Sequence, residues 1–191
     1  GVQTCALPIL ENKKRHNLFV PARGGIGEAI TVQANSVSAR MAAKANGNHR
    51  ALYVPEQLSL ATYNSLLNEP SIQEVLNLIS EANCVIHSIG RALHMAARRK
   101  MTEKELVMLK QANAVAESFG YFFNEKGEVV YKVPRIGIEL QDLEKVPIIM
   151  AIAGGKSKAK AIRAYMKNAP KQTWLITDEA AANEILKGVT L

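Results

Sequence analysis

A glycine-rich turn with two lysines is the part of this sequence best suited to bind an anion. Gly154 and Gly155 follow an apolar run, and Lys156, Ser157 and Lys158 lead into a helical pattern. Glycine lets the backbone turn tightly and approach a ligand, while the unpaired N–H groups at the start of a helix attract negative charge. Ser157 is predicted to cap this helix. The turn therefore predicts a site for a phosphate group or a similar small anion.

Helical periodicity distinguishes Lys158 from the neighbouring lysines. Ile162 and Tyr165 follow it at +4 and +7, so Lys158 is predicted to lie on the stripe that packs towards a sheet. The opposite face is interpreted as solvated surface and carries Lys156, Lys160, Arg163 and Lys167. The turn is not a nucleotide P-loop, because Met150 stands where that motif requires its first glycine. Lys158 is therefore the predicted ligand contact.

Two further turns between a strand and a helix carry cations. Arg23 is followed by two glycines, although Ile30 replaces the third glycine of a dinucleotide-binding motif. Gly90 ends a strand and leads into a helix that closes with three cations at 98–100. Each has an ordinary explanation, since a loop arginine is commonly solvated and cations stabilise a helix C-terminus. Together, the three cationic turns predict more than one phosphate in the ligand.

Three polar residues lie in otherwise apolar segments. Gln33 is interpreted either as a polar residue of a helix or as a group that binds ligand hydroxyls. The Glu117 carboxylate must be exposed, paired or in contact with such hydroxyls, because burying an unpaired charge is costly. His87 is interpreted as a hydrogen-bonded core histidine. The sequence shows no convincing nucleophile or acid/base pair, so it predicts a binding protein rather than an enzyme.

Short apolar strands alternate with helical patterns along the chain. The predicted strands are 18–20, 51–54, 84–89, 147–153 and 174–177, and the predicted helices are 28–45, 59–68, 72–82, 91–100, 102–110, 159–167 and 179–186. This order predicts an α/β fold with a Rossmann-like parallel sheet, helices on both faces, and ligands at the carboxyl ends of the strands. Segments 121–123 and 128–131 predict a small antiparallel hairpin insertion.

Composition limits the class of protein and its partners. The 191 residues are 48% hydrophobic, which is enough for a full core, and the net charge of +7 favours nucleic acid and phosphorylated metabolites equally. Two cysteines predict neither a disulfide framework nor a metal site, so we expect a cytoplasmic protein without a metal or cofactor. No apolar run is long enough to span a membrane.

The first residues differ from the rest of the chain. They resemble a sequencing adapter translated in frame, so residues 1–10 are predicted to be a non-native segment. A single domain is predicted over residues 11–191.

An ordered set of short motifs resembles the effector-binding domain of the SorC/DeoR-type sugar-binding transcriptional regulators. The motifs are residues 19–25, 54–57, 69–71, 116–121, 151–159 and 176–179. The resemblance implies a sugar-phosphate-isomerase-like domain that binds fructose 1,6-bisphosphate or a related phosphosugar within a repressor of glycolytic genes. It also implies a homo-oligomer in the full-length protein. The alternatives are a sugar-phosphate isomerase or deaminase on the same fold, with Glu117 as its acid/base group, and a basic nucleic-acid-binding domain.

The resemblance also implies which residues contact the ligand. The positions carried over are Arg23, Gln33, Arg98, Glu117 and Lys158, with Gly154, Gly155 and Ser157 forming the loop. Members of the family contact operator DNA through an N-terminal winged helix-turn-helix domain, and their effector domain opens with a Gly-Thr-Thr phosphate loop. Neither precedes Leu18 here, so the chain is expected to be N-terminally truncated and to reach DNA only through the missing domain.

Overall fold

The chain divides into two compact units. The computed structural model describes residues 17–25, 30–55 and 58–187. Unit 1 holds the described residues up to Ala82 together with Pro134–Asp142, and unit 2 holds Asn83–Val133 and the described residues from Leu143 onwards. Among these described residues, no helix is long and apolar enough to cross a membrane.

The described part of unit 1 contains a short parallel strand pair, three longer helices and the first residues of a short fourth helix, Leu140–Leu143. In chain order the strands and the longer helices are β1 (Leu18–Phe19), α1 (Ala34–Ala45), β2 (Asn48–His49), α2 (Leu60–Leu67) and α3 (Pro70–Ser80). Strands β1 and β2 pair with each other. Local signals set the helix ends, because Ser59 caps α2 by accepting from Thr62 N, and Pro70 occupies the first turn of α3, where its missing N–H costs nothing.

Two predictions in unit 1 are wrong. The predicted helix 28–45 is interrupted, because Ile30–Val32 form a 3₁₀ turn and Gln33 has extended backbone immediately before α1. Residues 26–29 lie outside the described part of the chain. The predicted strand 51–54 does not pair as a strand, because the Asn35 side chain hydrogen-bonds both the N–H and the C=O of Leu52 at 2.9 Å. The neighbouring loop also contributes a backbone hydrogen bond, from the Gly25 N–H to the Val54 C=O at 3.1 Å.

Unit 2 contains the main sheets. Its elements in chain order are β3 (Cys84–His87), β4 (Gly90–Arg91), α4 (Ala92–Arg98), α5 (Glu103–Gln111), β5 (Ala114–Ser118), β6 (Tyr121–Asn124), β7 (Val129–Lys132), the end of the short α6 (Leu140–Leu143), β8 (Ile148–Ile152), α7 (Ala159–Met166), β9 (Thr173–Ile176) and α8 (Glu179–Leu186). The predicted helix 102–110 begins with a capping box, in which Thr102 and Glu105 exchange hydrogen bonds at the start of α5.

A parallel sheet in the order β3-β8-β9 confirms the predicted α/β class. Val85 lies opposite Ile149 and Met150 lies opposite Trp174, so all three carboxyl strand ends meet at one edge. Ile149 and Ala151 are fully buried. Burying a side chain such as Ile149 contributes about 1.5–3 kcal/mol. The sheet is thus a rigid support for the turns that follow its strands.

The antiparallel part is larger than the predicted hairpin. Its four strands have the order β4-β5-β6-β7, and β5 was not predicted as a strand. Phe119 and Gly120 join β5 to β6 with positive φ values of 53° and 82°, as in a type I′ turn. Phe122 is fully buried in a cluster that also includes Leu109 and Val133. This apolar cluster fixes the sheet that carries Glu117.

Candidate anion site

The turn between β8 and α7 lies where two neighbouring parallel strands end. Gly154 and Gly155 follow β8 and Asp178 follows β9, so the strand pairing brings these segments together. The Gly155 N–H donates to Asp178 Oδ2 at 2.5 Å. Gly155 has a φ of 92°, which strongly favours glycine, and apart from its chain neighbours no heavy atom of the described residues lies within 4 Å of the place where a Cβ would stand. The turn predicted from the sequence is therefore held by a carboxylate and has open space in front of it.

Lys158 differs from the neighbouring lysines in burial and in pairing. Lys156 has a 70% exposed side chain 3.8 Å from Glu184, and Lys160 has a 63% exposed side chain 2.5 Å from Glu125. Lys158 is half-buried, and it forms no ion pair with the carboxylates that the structure describes. This burial agrees with the inner stripe predicted from the periodicity, while the role of Lys158 as a ligand contact stays a prediction.

Arg91 is a second cation, near enough to Lys158 to affect its charge, and it was not among the residues predicted to contact the ligand. It lies in β4, which begins shortly after β3 ends, and β3 is the neighbour of β8 in the sheet. Burial lowers the pKa of Lys158, and the positive charge of Arg91 lowers it further. Within the described residues, Arg91 also forms no ion pair. The sequence signal that could have identified Arg91 is its position directly after Gly90, at the end of a predicted strand.

Lys158 and Arg91, which pair with none of the described carboxylates, favour binding of an anion. Their mutual repulsion lowers the affinity of Lys158 for its proton, and a negative group bound between them would reverse that effect. Lys158 is half-buried while Arg91 is exposed, and a hydrogen bond from the Lys158 ammonium to a phosphate oxygen contributes about 1.5–3 kcal/mol. The arrangement therefore suits a phosphate group better than a neutral sugar.

Ser157 does not cap the helix, contrary to the prediction. It lies in the middle of a 3₁₀ turn, Lys156–Lys158, and neither this turn nor α7 has a side-chain capping hydrogen bond. The 3₁₀ turn moves the start of the α-helix to Ala159, so the Ser157 hydroxyl no longer stands at the capping position. Ser157 is exposed, and its role as a ligand residue stays a prediction.

Glu117 is buried and paired, which is one of the three environments that the sequence allowed. Its Oε1 accepts from Arg99 Nη2 at 2.8 Å and from the Gly120 N–H at 2.7 Å. Arg99 is buried, whereas Arg98, the contact implied by the resemblance, is exposed at the end of α4. Adjacent helical residues face different directions, so packing selects Arg99 for this pair. The ligand roles of Glu117 and Arg98 stay predictions.

Within unit 1, the side chain of Gln33 lies beside the loop that carries Arg23. A Cβ added to Gly25 would stand 2.9 Å from Gln33 Oε1, so only glycine lets the side chain approach this closely. Arg23 itself forms a β-bridge with Gly137. Their ligand roles stay predictions.

His87 is hydrogen-bonded as predicted, but it is partly buried rather than a fully buried core residue. Its Nδ1 lies 2.9 Å from Ser118 Oγ, its Nε2 lies 3.3 Å from the Tyr165 hydroxyl, and its ring packs against Phe119. Burial lowers the pKa of His87 to about 4, so the ring is neutral at neutral pH. In the described part of the chain, no three His, Cys, Asp or Glu residues are grouped to hold a metal ion.

Comparison with known proteins identifies relatives among transcriptional regulators. Residues 5–187 match the family described as "Putative sugar-binding domain". The chain is 50% identical over 177 residues to the Central glycolytic genes regulator of Bacillus subtilis. The matched region covers 93% of this chain and 52% of that protein. The protein of the same name from Priestia megaterium is 51% identical over 170 residues, covering 89% and 49%. The chain thus spans about half the length of these curated relatives.

Two solved structures resemble the chain at very different levels of identity. A "putative SorC family transcriptional regulator" from Enterococcus faecalis is 80% identical with a TM-score of 0.86, covering 93% of this chain and 72% of that chain. The full-length sorbitol operon regulator SorC of Klebsiella pneumoniae is 16% identical with a TM-score of 0.85, covering 97% and 63%. At that identity, the second likeness shows a shared fold alone.

Proposed function

Since this chain belongs to the sugar-binding domain family, we propose that it binds a phosphorylated sugar and that Lys158 and Arg91 contact a phosphate group. The observation that carries this proposal is the half-buried Lys158 beside Arg91, with no carboxylate partner for either cation among the described residues. The glycine turn adds backbone N–H groups at the start of α7, where the helix dipole also favours an anion. A family of sugar-binding domains and a site for an anion together indicate a phosphosugar.

We propose that the preferred ligand is fructose 1,6-bisphosphate or a related phosphosugar. Two relatives that are 50% and 51% identical to the chain are named as regulators of central glycolytic genes. An intermediate of glycolysis is a natural signal for such a regulator. A bisphosphate also matches a net charge of +7 and the several cationic turns of the sequence. The relatives described above are named regulators, which supports a sensing role over catalysis.

For the whole protein, we propose that ligand binding to this domain controls a homo-oligomeric repressor at its operator DNA. In this proposal the chain studied here senses the ligand and a separate domain reads the DNA sequence. The chain alone is then expected to show no sequence-specific shift of operator DNA in a gel assay with competitor DNA. A specific shift by this chain would contradict that division of roles.

A pair of matched variants tests the anion site. Lys158→Ala should weaken binding of fructose 1,6-bisphosphate by about ten-fold or more, because it removes a hydrogen bond to a charged group. Lys160→Ala removes the same charge two residues away, and it loses only an exposed pair with Glu125, which water screens strongly. If general electrostatics governed binding, both variants would weaken it alike, and the site assignment would be wrong.

A thermal-shift series measures the ligand preference. A ligand that binds only the native state raises the free energy of unfolding by about 2.7 kcal/mol at a hundred-fold excess over Kd. Fructose 1,6-bisphosphate should raise the melting temperature in the wild type, whereas fructose should not, and inorganic phosphate should act weakly. Equal shifts with fructose and with its bisphosphate would show that the phosphate groups are not recognised.

A further inference from the structure

Asp178 makes two hydrogen bonds that serve different parts of unit 2. Its Oδ1 accepts from the Ala181 N–H at 2.8 Å, which caps α8. Its Oδ2 accepts from the Gly155 N–H at 2.5 Å, 23 residues away in the sequence. The Asp178 side chain, which follows β9, therefore contacts the turn that follows β8. A capping role for α8 alone would need only the first of these hydrogen bonds.

The close approach of this carboxylate explains why position 154 is glycine. A Cβ added to Gly154 would be nearer to Asp178 Oδ2 than real Cβ atoms come to any other atom. Gly155 has no such neighbour, so its requirement for glycine comes from its positive φ alone. The two glycines thus have separate functions, and the first of them makes room for Asp178.

We propose that Asp178 is a positioning residue that holds the Gly154–Lys158 turn in the conformation that binds the anion. This proposal rests on the proposed function, because the turn it holds is the one that carries Lys158. A carboxylate beside a phosphate site opposes anion binding by its charge, so its presence there calls for a compensating role. Fixing the backbone at Gly155 supplies that role, since Lys158 lies three residues further along the same turn.

The expected effect follows from the population of the competent turn. If only a fraction of molecules hold the binding conformation, the apparent Kd is the intrinsic Kd divided by that fraction. Loss of a hydrogen bond to a charged acceptor changes an equilibrium by about ten-fold or more. Removing the Asp178–Gly155 hydrogen bond should therefore weaken phosphosugar binding by about the same factor, although Asp178 itself touches no ligand.

The substitution Asp178→Ser separates the two hydrogen bonds. Serine is a good N-cap and keeps the cap of α8, but its side chain is too short to reach the Gly155 N–H as well. Asp178→Ala loses both hydrogen bonds. A positioning role predicts that both variants bind fructose 1,6-bisphosphate about ten-fold more weakly, while Asp178→Ser keeps most of the thermal stability that Asp178→Ala loses. Unchanged affinity in Asp178→Ser would overturn the proposal and leave Asp178 as a helix cap.

The variant Gly154→Ala and a measurement of amide hydrogen exchange test the same hydrogen bond in two further ways. The first keeps the cap of α8, and the second needs no ligand. Gly154→Ala keeps Asp178, but the added Cβ should displace the Asp178 carboxylate from the Gly155 N–H. It should therefore weaken phosphosugar binding as Asp178→Ser does. Amide hydrogen exchange at Gly155, measured without ligand, should be faster in both variants than in the wild type. Unchanged exchange would overturn the proposal. Failure of the wild type to bind the bisphosphate would refute the proposed function itself, whereas wild-type binding with unaltered variants would refute only the role of Asp178.

Discussion

Replacing Arg99 tests how the buried pair with Glu117 supports unit 2. The Arg99→Met variant keeps most of the side-chain volume but leaves the Glu117 carboxylate with the Gly120 N–H as its one remaining donor among the residues that the structure describes. The two side chains are 1% and 6% exposed, so water cannot replace the lost guanidinium. We therefore expect a large loss of stability, unlike that of a surface ion pair.

The magnitude follows from this burial. Breaking a buried ion pair by removing one partner costs about 3–5 kcal/mol, because an uncompensated charge remains inside. For a chain of this length, about 2–4 °C of melting temperature corresponds to each kcal/mol, so Arg99→Met should melt roughly 6–20 °C lower. The second substitution Glu117→Gln removes the stranded charge, while its amide oxygen can still accept from Gly120.

The assay is urea unfolding of the wild type, both single variants and the double variant. Circular dichroism is the suitable signal, because the single tryptophan, Trp174, is 69% exposed and senses the core poorly. We expect the Arg99→Met/Glu117→Gln variant to be more stable than Arg99→Met, with a coupling energy of about 0.5–3 kcal/mol. Losses that simply add would refute the idea that the stranded charge causes the effect.

Three further predictions concern stability. The pKa of His87 is lowered to about 4 by burial, so the free energy of unfolding should fall as the pH drops from about 6.5 towards 4, where the unfolded chain binds a proton that the native ring resists. In His87→Gln, acid titration of stability should show a smaller slope over this range, and an unchanged slope would contradict the assignment. Gly155→Ala should cost about 1–2 kcal/mol in chemical unfolding, because its φ of 92° disfavours a side chain while the space is open. Thr102→Ala should cost about 1 kcal/mol through loss of the capping box of α5, and a melting temperature equal to the wild type would refute this.

Elements with strong local signals could be predicted from the sequence. The start of α2 at Ser59, the capping box of α5 at Thr102 and the cap of α8 at Asp178 each depend on residues within three positions of one another. The apolar run at β8 and the hairpin turn containing Gly127 are signals of the same local kind. In these places the local preference and the tertiary fold agree.

Elements that depend on distant partners could not be predicted in this way. Strand β5 contains two alanines, a glutamate and a serine, and it forms because β4 and β6 pair with its two edges. The segment 51–54 has a strand-like composition, but the Asn35 side chain takes the backbone groups of Leu52. Residue composition therefore indicates which segments can form a strand, while the hydrogen-bond partners brought by the fold determine which segments do form one.

The same distinction applies to the candidate site. Lys158 could be singled out because helical periodicity separates it from Lys160, and the difference in burial agrees. Arg91 lowers the pKa of Lys158 because the pairing of β3 with β8 brings the two residues near each other. That strand pairing could not be predicted from the sequence. The choice of Arg99 over Arg98 as the partner of Glu117 depends on packing against a sheet whose strand β5 was not foreseen.

The most direct test of the phosphosugar site is a crystal structure of this protein with fructose 1,6-bisphosphate bound. The proposal predicts a phosphate oxygen about 2.7–2.9 Å from Lys158 Nζ, with the Arg91 guanidinium turned towards the same phosphate. A phosphosugar bound elsewhere, with Lys158 free of contact, would contradict the central claim.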